Sequence, residues 1–398
     1  MATILMSADL MKEIERSRGD AVALLQALVR FPSVTGSEAA IGGFVAEYCR
    51  RLGLSVEIVE AEPGRPNVIA TWDSGLDGPT LLLNDHLDII PPGPLAAWTY
   101  PPFDAVVVDD LVYGRGTIDT KSGMTTLLVA LSAAVKSRLA IVGKLVLIFT
   151  CDEETGGRLG MQHLGRNGYL KADMAVVAEP TSMRVEIATK GRLGFDIETT
   201  GTATHGARPW LGHSAISDMS RIVLSLERLG SELAARPHAR MGRPSLNVGT
   251  IQGGTVPNMV PNWSRIEVDR RLVPGETREQ ALQQIQVEID ALCEKHPDLQ
   301  ATITEKIWWP GYEIDESEPI VAVASGAFAK VVGRRPKIGV KDAGTDASWI
   351  HSLAGIPVIM FSPGDGLRAM NADENVSITD MMIATKVIAQ IIADVLGR

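Results

Sequence analysis

Apolar residues recur at helical spacing over residues 20–30 and 37–52, the second stretch opening on Ser37 as a candidate N-cap and ending at Gly53. Short runs rich in Val, Ile and Leu at 56–59, 67–71, 80–83, 144–151 and 174–178 read as strands. Several are apolar on both faces, as strands are when helices cover each side of their sheet. The first 180 residues therefore predict an α/β layered domain. From about residue 184 the pattern changes to strand 184–200, helix 213–229, strands 246–252 and 265–272, helix 278–295 and strand 299–306. This order, βαββαβ, is that of a ferredoxin-like unit. Alternation resumes over 318–398, with 356–361 a buried strand and 378–396 a closing helix. The expected organisation is a mixed-sheet α/β domain in two parts, 1–183 and 308–398, interrupted by an inserted unit at 184–307.

Size and composition narrow the function classes. A chain of 398 residues exceeds what one core usually organises, and 45% hydrophobic with 22% charged residues is a globular composition. The net charge of −10, with no basic stripe to offset it, argues against nucleic acid and against an anionic membrane surface as partners. Residues 1–20 hold no signal-type apolar region and no uncharged apolar run is long enough to span a bilayer, so the expectation is a cytoplasmic protein. Cys49, Cys151 and Cys293 lack CxxC spacing and form an odd set, which suits core filling better than a disulfide framework.

The candidate chemistry lies where strands end. His86 and Asp88 stand two apart in HLDIIPPG, with side chains on one side of the departing strand. An acid so placed supports a metal-binding imidazole, directly or through a neighbour. Asp119 lies in the glycine-flanked loop YGRGTIDTKSG, Glu153 and Glu154 follow a strand in DEETGG, and Glu179 ends another in AEPT. Each alone has an ordinary explanation, such as a helix cap or a solvated acidic turn. Acids closing several strands of one domain point together to a metal site.

These motifs, with GTATHGARPWLGHSAI and GGTVPNMVPNWSRIEVDRRLVPGE further on, resemble the M20 metallopeptidase family of amide hydrolases over nearly the whole chain. The resemblance implies that His86 and Glu179 bind one metal, Asp119 bridges, Glu154 binds a second metal, Glu153 is the general base and Asp88 supports His86. It also implies a cis peptide after Asp119, a homodimer or higher oligomer formed through the inserted domain, and His205 reaching the partner's active site. Asn258 and Arg271 match positions that hold a substrate carboxylate, a task suited to the guanidinium fork.

One position departs from the family. Where relatives carry a last metal-binding histidine, this chain has Met370 in AMNADENV, and a thioether is a weak ligand for Zn, Mn or Co. The expectation is one tightly held divalent ion per chain and hydrolysis of a C–N bond in a small carboxylate-bearing substrate. Met370 and Arg368 are then candidate substrate contacts. Trp98, Trp210, Trp308, Trp309 and Trp349 lie near the motifs, and they leave open a single-metal aminohydrolase acting on an aromatic amine such as a nitroanthranilate. Core packing is the alternative reading of the tryptophans. A non-catalytic ligand-binding relative is the third reading, and the retained Glu153 argues against it.

Overall fold

The computed structural model describes residues 2–398. Three helices open the chain, α1 (Ala2–Arg16), α2 (Arg18–Val29) and α3 (Ala39–Arg51), followed by strands β1 (Ser55–Glu60), β2 (Pro66–Asp73) and β3 (Thr80–His86). Short strands β4 (Val106–Val108) and β5 (Leu111–Tyr113) precede α4 (Ser122–Lys136); then come β6 (Lys144–Thr150), α5 (Met161–Arg166), β7 (Met174–Val177) and β8 (Val185–Thr189). The middle of the chain forms β9 (Gly191–Thr200), α6 (Ala215–Ala234), β10 (Ser245–Gly253), β11 (Trp263–Leu272), α7 (Arg278–Lys295), β12 (Gln300–Trp309) and β13 (Tyr312–Glu313). The rest holds α8 (Pro319–Val332), β14 (Ile338–Lys341), α9 (Asp346–Ala354), β15 (Val358–Met360), β16 (Asn375–Ser377) and α10 (Ile378–Leu396).

The chain divides into two compact units, one of residues 1–187, 314–339 and 345–398, the other of 188–313 and 340–344. In the first, strands run in the order β1-β2-β6-β3-β7-β15-β8. Parallel pairing of β3 with both β6 and β7, and of β7 with β15, lines up their carboxyl ends. These strands are buried almost throughout, as the continuous apolar runs imply. Among the described residues no helix is long and apolar enough to cross a membrane.

The second unit is β9-α6-β10-β11-α7-β12, with antiparallel sheet order β10-β11-β9-β12. This is the ferredoxin-like arrangement. Leu193, Phe195 and Ile197 on one face of β9 pack with Met219 and Ile222 of α6 and Ile285 of α7. The single strand expected at 184–200 is in fact two, because the chain breaks at Lys190 and β8 and β9 join different sheets. The compact second unit, 188–313 with 340–344, brackets the insertion expected at 184–307 to within a few residues. Ser37 does not cap α3, whose N-cap position is taken by Glu38 without a side-chain capping bond. The tryptophans divide: Trp309 and Trp349 are buried, Trp308 packs against the core of the second unit, and Trp210 is exposed. Cys49 and Cys151 are buried free thiols and Cys293 is a half-buried one.

Helix α4 carries the Asp119 loop and lies against the sheet closely enough to exclude a methyl group at Gly123. A Cβ there would sit 2.2 Å from the Ala178 carbonyl oxygen and 2.7 Å from Asp85 Oδ2. Gly→Ala inside a helix normally stabilises by about 1 kcal/mol. Here overpacking reverses the sign, and Gly123→Ala is expected to destabilise by about 1–3 kcal/mol in denaturant melts. A variant as stable as wild type would show that α4 is free to slide away from the sheet.

Candidate metal centre

His86 is the last residue of β3, paired in register with Thr150 at the end of β6. The Glu153–Glu154 turn follows β6, and Glu179 follows β7 by two residues. Asp119 comes from the turn before α4, which contains a cis peptide between Asp119 and Thr120, as the resemblance implied. One ligand atom each of His86, Asp119 and Glu179 lie within 4.8 Å of one another. His86 Nε2 is 3.2 Å from Asp119 Oδ1 and 3.8 Å from Glu179 Oε1. His86 and Glu179 are buried, and Asp119 is half-buried.

The second ring nitrogen of His86, Nδ1, lies 2.9 Å from the backbone carbonyl of Asp88. A proton on Nδ1 donates to that oxygen and leaves the Nε2 lone pair facing the carboxylates, as metal ligation requires. The Asp88 carboxylate stands further from the ring, 3.6 Å from Nδ1. Asp88 therefore meets the ring mainly through its main-chain carbonyl, with its carboxylate standing behind. The side chain instead accepts the Glu153 N–H at 3.0 Å, the Glu154 N–H at 3.2 Å and the Thr35 hydroxyl at 2.7 Å. One acid therefore connects the histidine strand to the acidic turn.

Asp119 has its own backbone anchor in Glu374, which composition and motif reading passed over. Glu374 Oε1 accepts the N–H groups of Ile118 at 2.7 Å and Asp119 at 3.1 Å, while Oε2 pairs with Arg115. Arg115 also donates to the Met370 carbonyl at 3.0 Å and lies 5.2 Å from the Trp98 ring centroid. The Met370 segment is therefore bolted beside the Asp119 loop. Met370 itself is half exposed, with φ of 68°. Arg368 is exposed in the same loop.

Electrostatics follow from burial. Glu153 and Glu154 are both pushed well above the usual carboxylate range, first by desolvation; His86 offsets this, while Glu179, Asp346 and Glu154 add to it for Glu153, and Asp119, Asp88 and Glu179 for Glu154. Burial disfavours a charged His86, yet hydrogen bonds to Asp119 and Asp88 and the charge of Glu153 outweigh it and raise its pKa well above the ordinary value. Asp346, at the start of α9, was also missed in the sequence, where GTDASW reads as a plain helix start. Desolvation raises it to about 7, opposed by its bond from Thr150 and by His86. Its Oδ1, like Glu154 Oε1, has no hydrogen-bond partner among the described residues. Glu154 lies outside the three-residue ligand group.

The remaining candidates belong to the second unit. His205 is exposed, and its Nδ1 accepts the Ala207 N–H at 3.0 Å. Asn258 is exposed, and its carbonyl accepts the Gly206 N–H at 2.7 Å, so it neighbours the His205 loop. Arg271, on β11, pairs through Nε with Asp269 Oδ1 at 2.6 Å, and Arg192 reaches Asp269 Oδ2 at 2.7 Å.

Comparison with known proteins agrees with this geometry. The chain is 27% identical over 413 aligned positions to N-formyl-4-amino-5-aminomethyl-2-methylpyrimidine deformylase of Bacillus subtilis, covering 96% of each chain. It is 30% identical to acetylornithine deacetylase of Aliivibrio salmonicida, covering 83% of this chain and 84% of that one. An M20 family metallo-carboxypeptidase from Sulfolobus solfataricus shares the fold, with a TM-score of 0.80 at 18% identity, over 93% of this chain and 98% of that one. The sequence model described as peptidase family M20/M25/M40 matches residues 82–394. With its ligand cluster at the ends of parallel strands and that match across most of its length, the chain belongs to the M20 peptidase family and is a hydrolase of carbon–nitrogen bonds.

Proposed function

We propose that the protein hydrolyses an amide that joins a short acyl group to a small, carboxylate-bearing amine, using one tightly held divalent ion. The observation that carries this reading is the convergence of His86 Nε2, Asp119 and Glu179 beside the buried Glu153. The donor set fits Zn, Mn or Co: one imidazole nitrogen whose ring partner is already committed, and two carboxylates whose negative charge a divalent ion balances. When bound, such an ion supplies a Lewis acid that polarises the acyl oxygen and lowers the pKa of water to about 7.

The protein's own groups supply the proton movements. Glu153, held above the usual carboxylate range, takes a proton from the attacking water as the C–O bond forms at the acyl carbon. It returns that proton to the nitrogen as the C–N bond breaks, leaving a carboxylate and a free amine. His205 accepts at Nδ1, so a neutral ring carries its proton on Nε2, the donor that a developing oxyanion needs. In the proposed assembly this histidine serves the partner subunit. The dimer forms through the inserted unit, where edge strand β10 leaves Ile251 59% exposed and α6 leaves Leu224 65% exposed. Two guanidiniums, Arg192 and Arg271, share the single carboxylate of Asp269, which leaves positive charge for a substrate carboxylate, while Asn258 stands with the His205 loop at the opposite end of β11. The formyl and acetyl groups in the relatives' names favour a short acyl group over loss of ammonia from an arylamine.

Protein loaded with Zn, Mn or Co, assayed against N-formyl and N-acetyl amino acids, dipeptides and aminobenzoates, tests the reaction. The expected products are amine and carboxylate, and Glu153→Gln is expected to lower kcat by about 10² to 10⁴ while retaining the ion. Ammonia release from an aminobenzoate with every amide untouched would sink the reading.

Metal content is a second check. Elemental analysis is expected to give about one tight ion per chain, because Asp119 and Glu154 alone are too few ligands for a second. Met370→His is expected to raise this toward two. A variant that still holds one ion would mean that position 370 does not face the second site.

The raised pKa values also set a pH dependence. An acid whose folded pKa is raised stabilises the fold at low pH and loses that contribution as pH climbs through the folded value; a histidine with a raised pKa acts in the same direction. Asp346 at about 7, together with Glu153, Glu154 and His86, therefore makes the metal-free protein melt at a lower temperature at about pH 7.5 than at about pH 5.5. Lys121, pushed down to about 7 by burial, opposes this only above that pH. Added metal is expected to raise the melting temperature more at the higher pH. A metal-free Tm that climbs over this interval contradicts the assignment.

A further inference from the structure

The segment joining α2 to α3, Phe31-Pro-Ser-Val-Thr-Gly-Ser-Glu38, holds none of the chemistry-bearing motifs. In the structure it forms a back plate to the metal centre. The Phe31 carbonyl accepts Lys121 Nζ at 2.6 Å, two residues beyond Asp119. Ser33 Oγ donates to the Leu87 carbonyl at 2.7 Å and the Ser33 carbonyl accepts the Ile89 N–H at 3.0 Å, on either side of Asp88. The Thr35 N–H donates back to Ile89 at 3.1 Å, which fixes the residue's backbone. Glu38, fully buried, takes Arg65 through both oxygens at 2.8 and 2.9 Å. Arg65 in turn reaches Asp152 Oδ1 at 3.2 Å, immediately before Glu153. The plate itself is a tight turn, closed by Ser37 N–H to the Val34 carbonyl at 2.8 Å, with Gly36 at φ of 102°.

One side chain of this plate reaches the site's own hydrogen-bond frame. The Thr35 hydroxyl donates to Asp88 Oδ2 at 2.7 Å, on a carboxylate otherwise occupied by the main-chain N–H groups of Glu153 and Glu154. Oδ1 thus takes one donor and Oδ2 two, and the Thr35 hydroxyl is the one donor of the three that comes from outside the acidic turn. We propose that Thr35 is a positioning residue of this centre, acting through Asp88 on the His86 ring and on the Glu153–Glu154 turn together. Removing the hydroxyl leaves the carboxylate held only by the N–H groups of the turn it positions, so carboxylate and turn can shift as one body. Asp88, whose carbonyl faces His86 Nδ1 and whose carboxylate accepts both N–H groups of the acidic turn, then loses its side-chain tie to the plate. The inference rests on the reading of the site as a metal centre, and its test is read first on metal affinity without substrate.

Thr35→Val keeps the shape and removes the donor, whereas Thr35→Ser keeps the donor. Metal affinity is measured by competition with a chromogenic chelator, and kcat, KM and Tm are measured on the same preparations. Thr35→Val is expected to weaken Zn binding about 10-fold or more, the usual scale for a lost partner behind a metal ligand, with kcat reduced and KM within about twofold. Thr35→Ser is expected to bind and turn over within about threefold of wild type. Ser33→Ala, which removes a bond from the same plate without touching the carboxylate, is expected to keep wild-type metal affinity. Should Thr35→Val melt too low to assay, Thr35→Ala is measured in its place and held to the same expectation. Wild-type affinity in the hydroxyl-free variant, or an equal loss in Thr35→Ser, overturns the proposal. A protein that hydrolyses no amide, yet loses metal on Thr35→Val and not on Thr35→Ser, supports it and tells only against the amide-hydrolase reading.

Discussion

The crowding of buried acids around one histidine is the constraint on which the remaining structure depends. Asp85, Asp88, Glu153, Glu179 and Asp346 are all at most 6% exposed, and the imidazole in their midst is His86. A desolvated carboxylate costs several kcal/mol unless it is paired, hydrogen-bonded or neutralised. The fold uses each remedy in turn. Asp88 and Glu374 are satisfied by pairs of main-chain N–H groups, Asp85 takes the His86 N–H at 2.8 Å, and Glu153, Glu154 and Asp346 are shifted toward their neutral forms. What remains faces one point shared by His86, Asp119 and Glu179, a donor group suited to a cation.

That constraint also explains which parts of the molecule were legible in the sequence. Runs such as Thr80–His86 and Lys144–Thr150 must be apolar on both faces because the sheet is covered twice, and so they announce themselves. The βαββαβ order of the inserted unit was readable because its helices are long and amphipathic and its strands alternate, as in Trp263–Leu272 with its strictly alternating burial. The candidate ligands His86, Asp119 and Glu179 stood out because each closes a strand or lies in a glycine-flanked loop. The break at Lys190 was not: residues on both sides keep strand character, and only pairing partners reveal that two sheets share the run.

Supporting residues were hidden for a related reason. Thr35, Glu374 and Asp346 act through hydrogen bonds to segments 53, 255 and 196 residues away, and nothing local marks them. Asp88 was found, but its geometry was not, since spacing alone cannot say whether a carbonyl or a carboxylate of one residue faces a ring. Met370 stands between these cases. The substitution was visible in the sequence, while its seat beside the Asp119 loop comes from the Arg115 bridge.

The insertion has a consequence for how the molecule is made on the ribosome. Residues 188–313 are contiguous and carry their own core, so they can collapse as soon as they emerge. The metal-bearing unit is split around them. Helix α10 packs against α4 and α8, and Glu374 fastens the Asp119 loop, yet both belong to residues synthesised after the insertion. His86, Asp119 and Glu179 therefore spend an interval of synthesis in an incomplete sheet, at about 5–20 residues per second, while the later unit in sequence order is already folded. Glu374 is among the last residues to emerge, so the Asp119 loop gains its brace only when the chain is nearly complete.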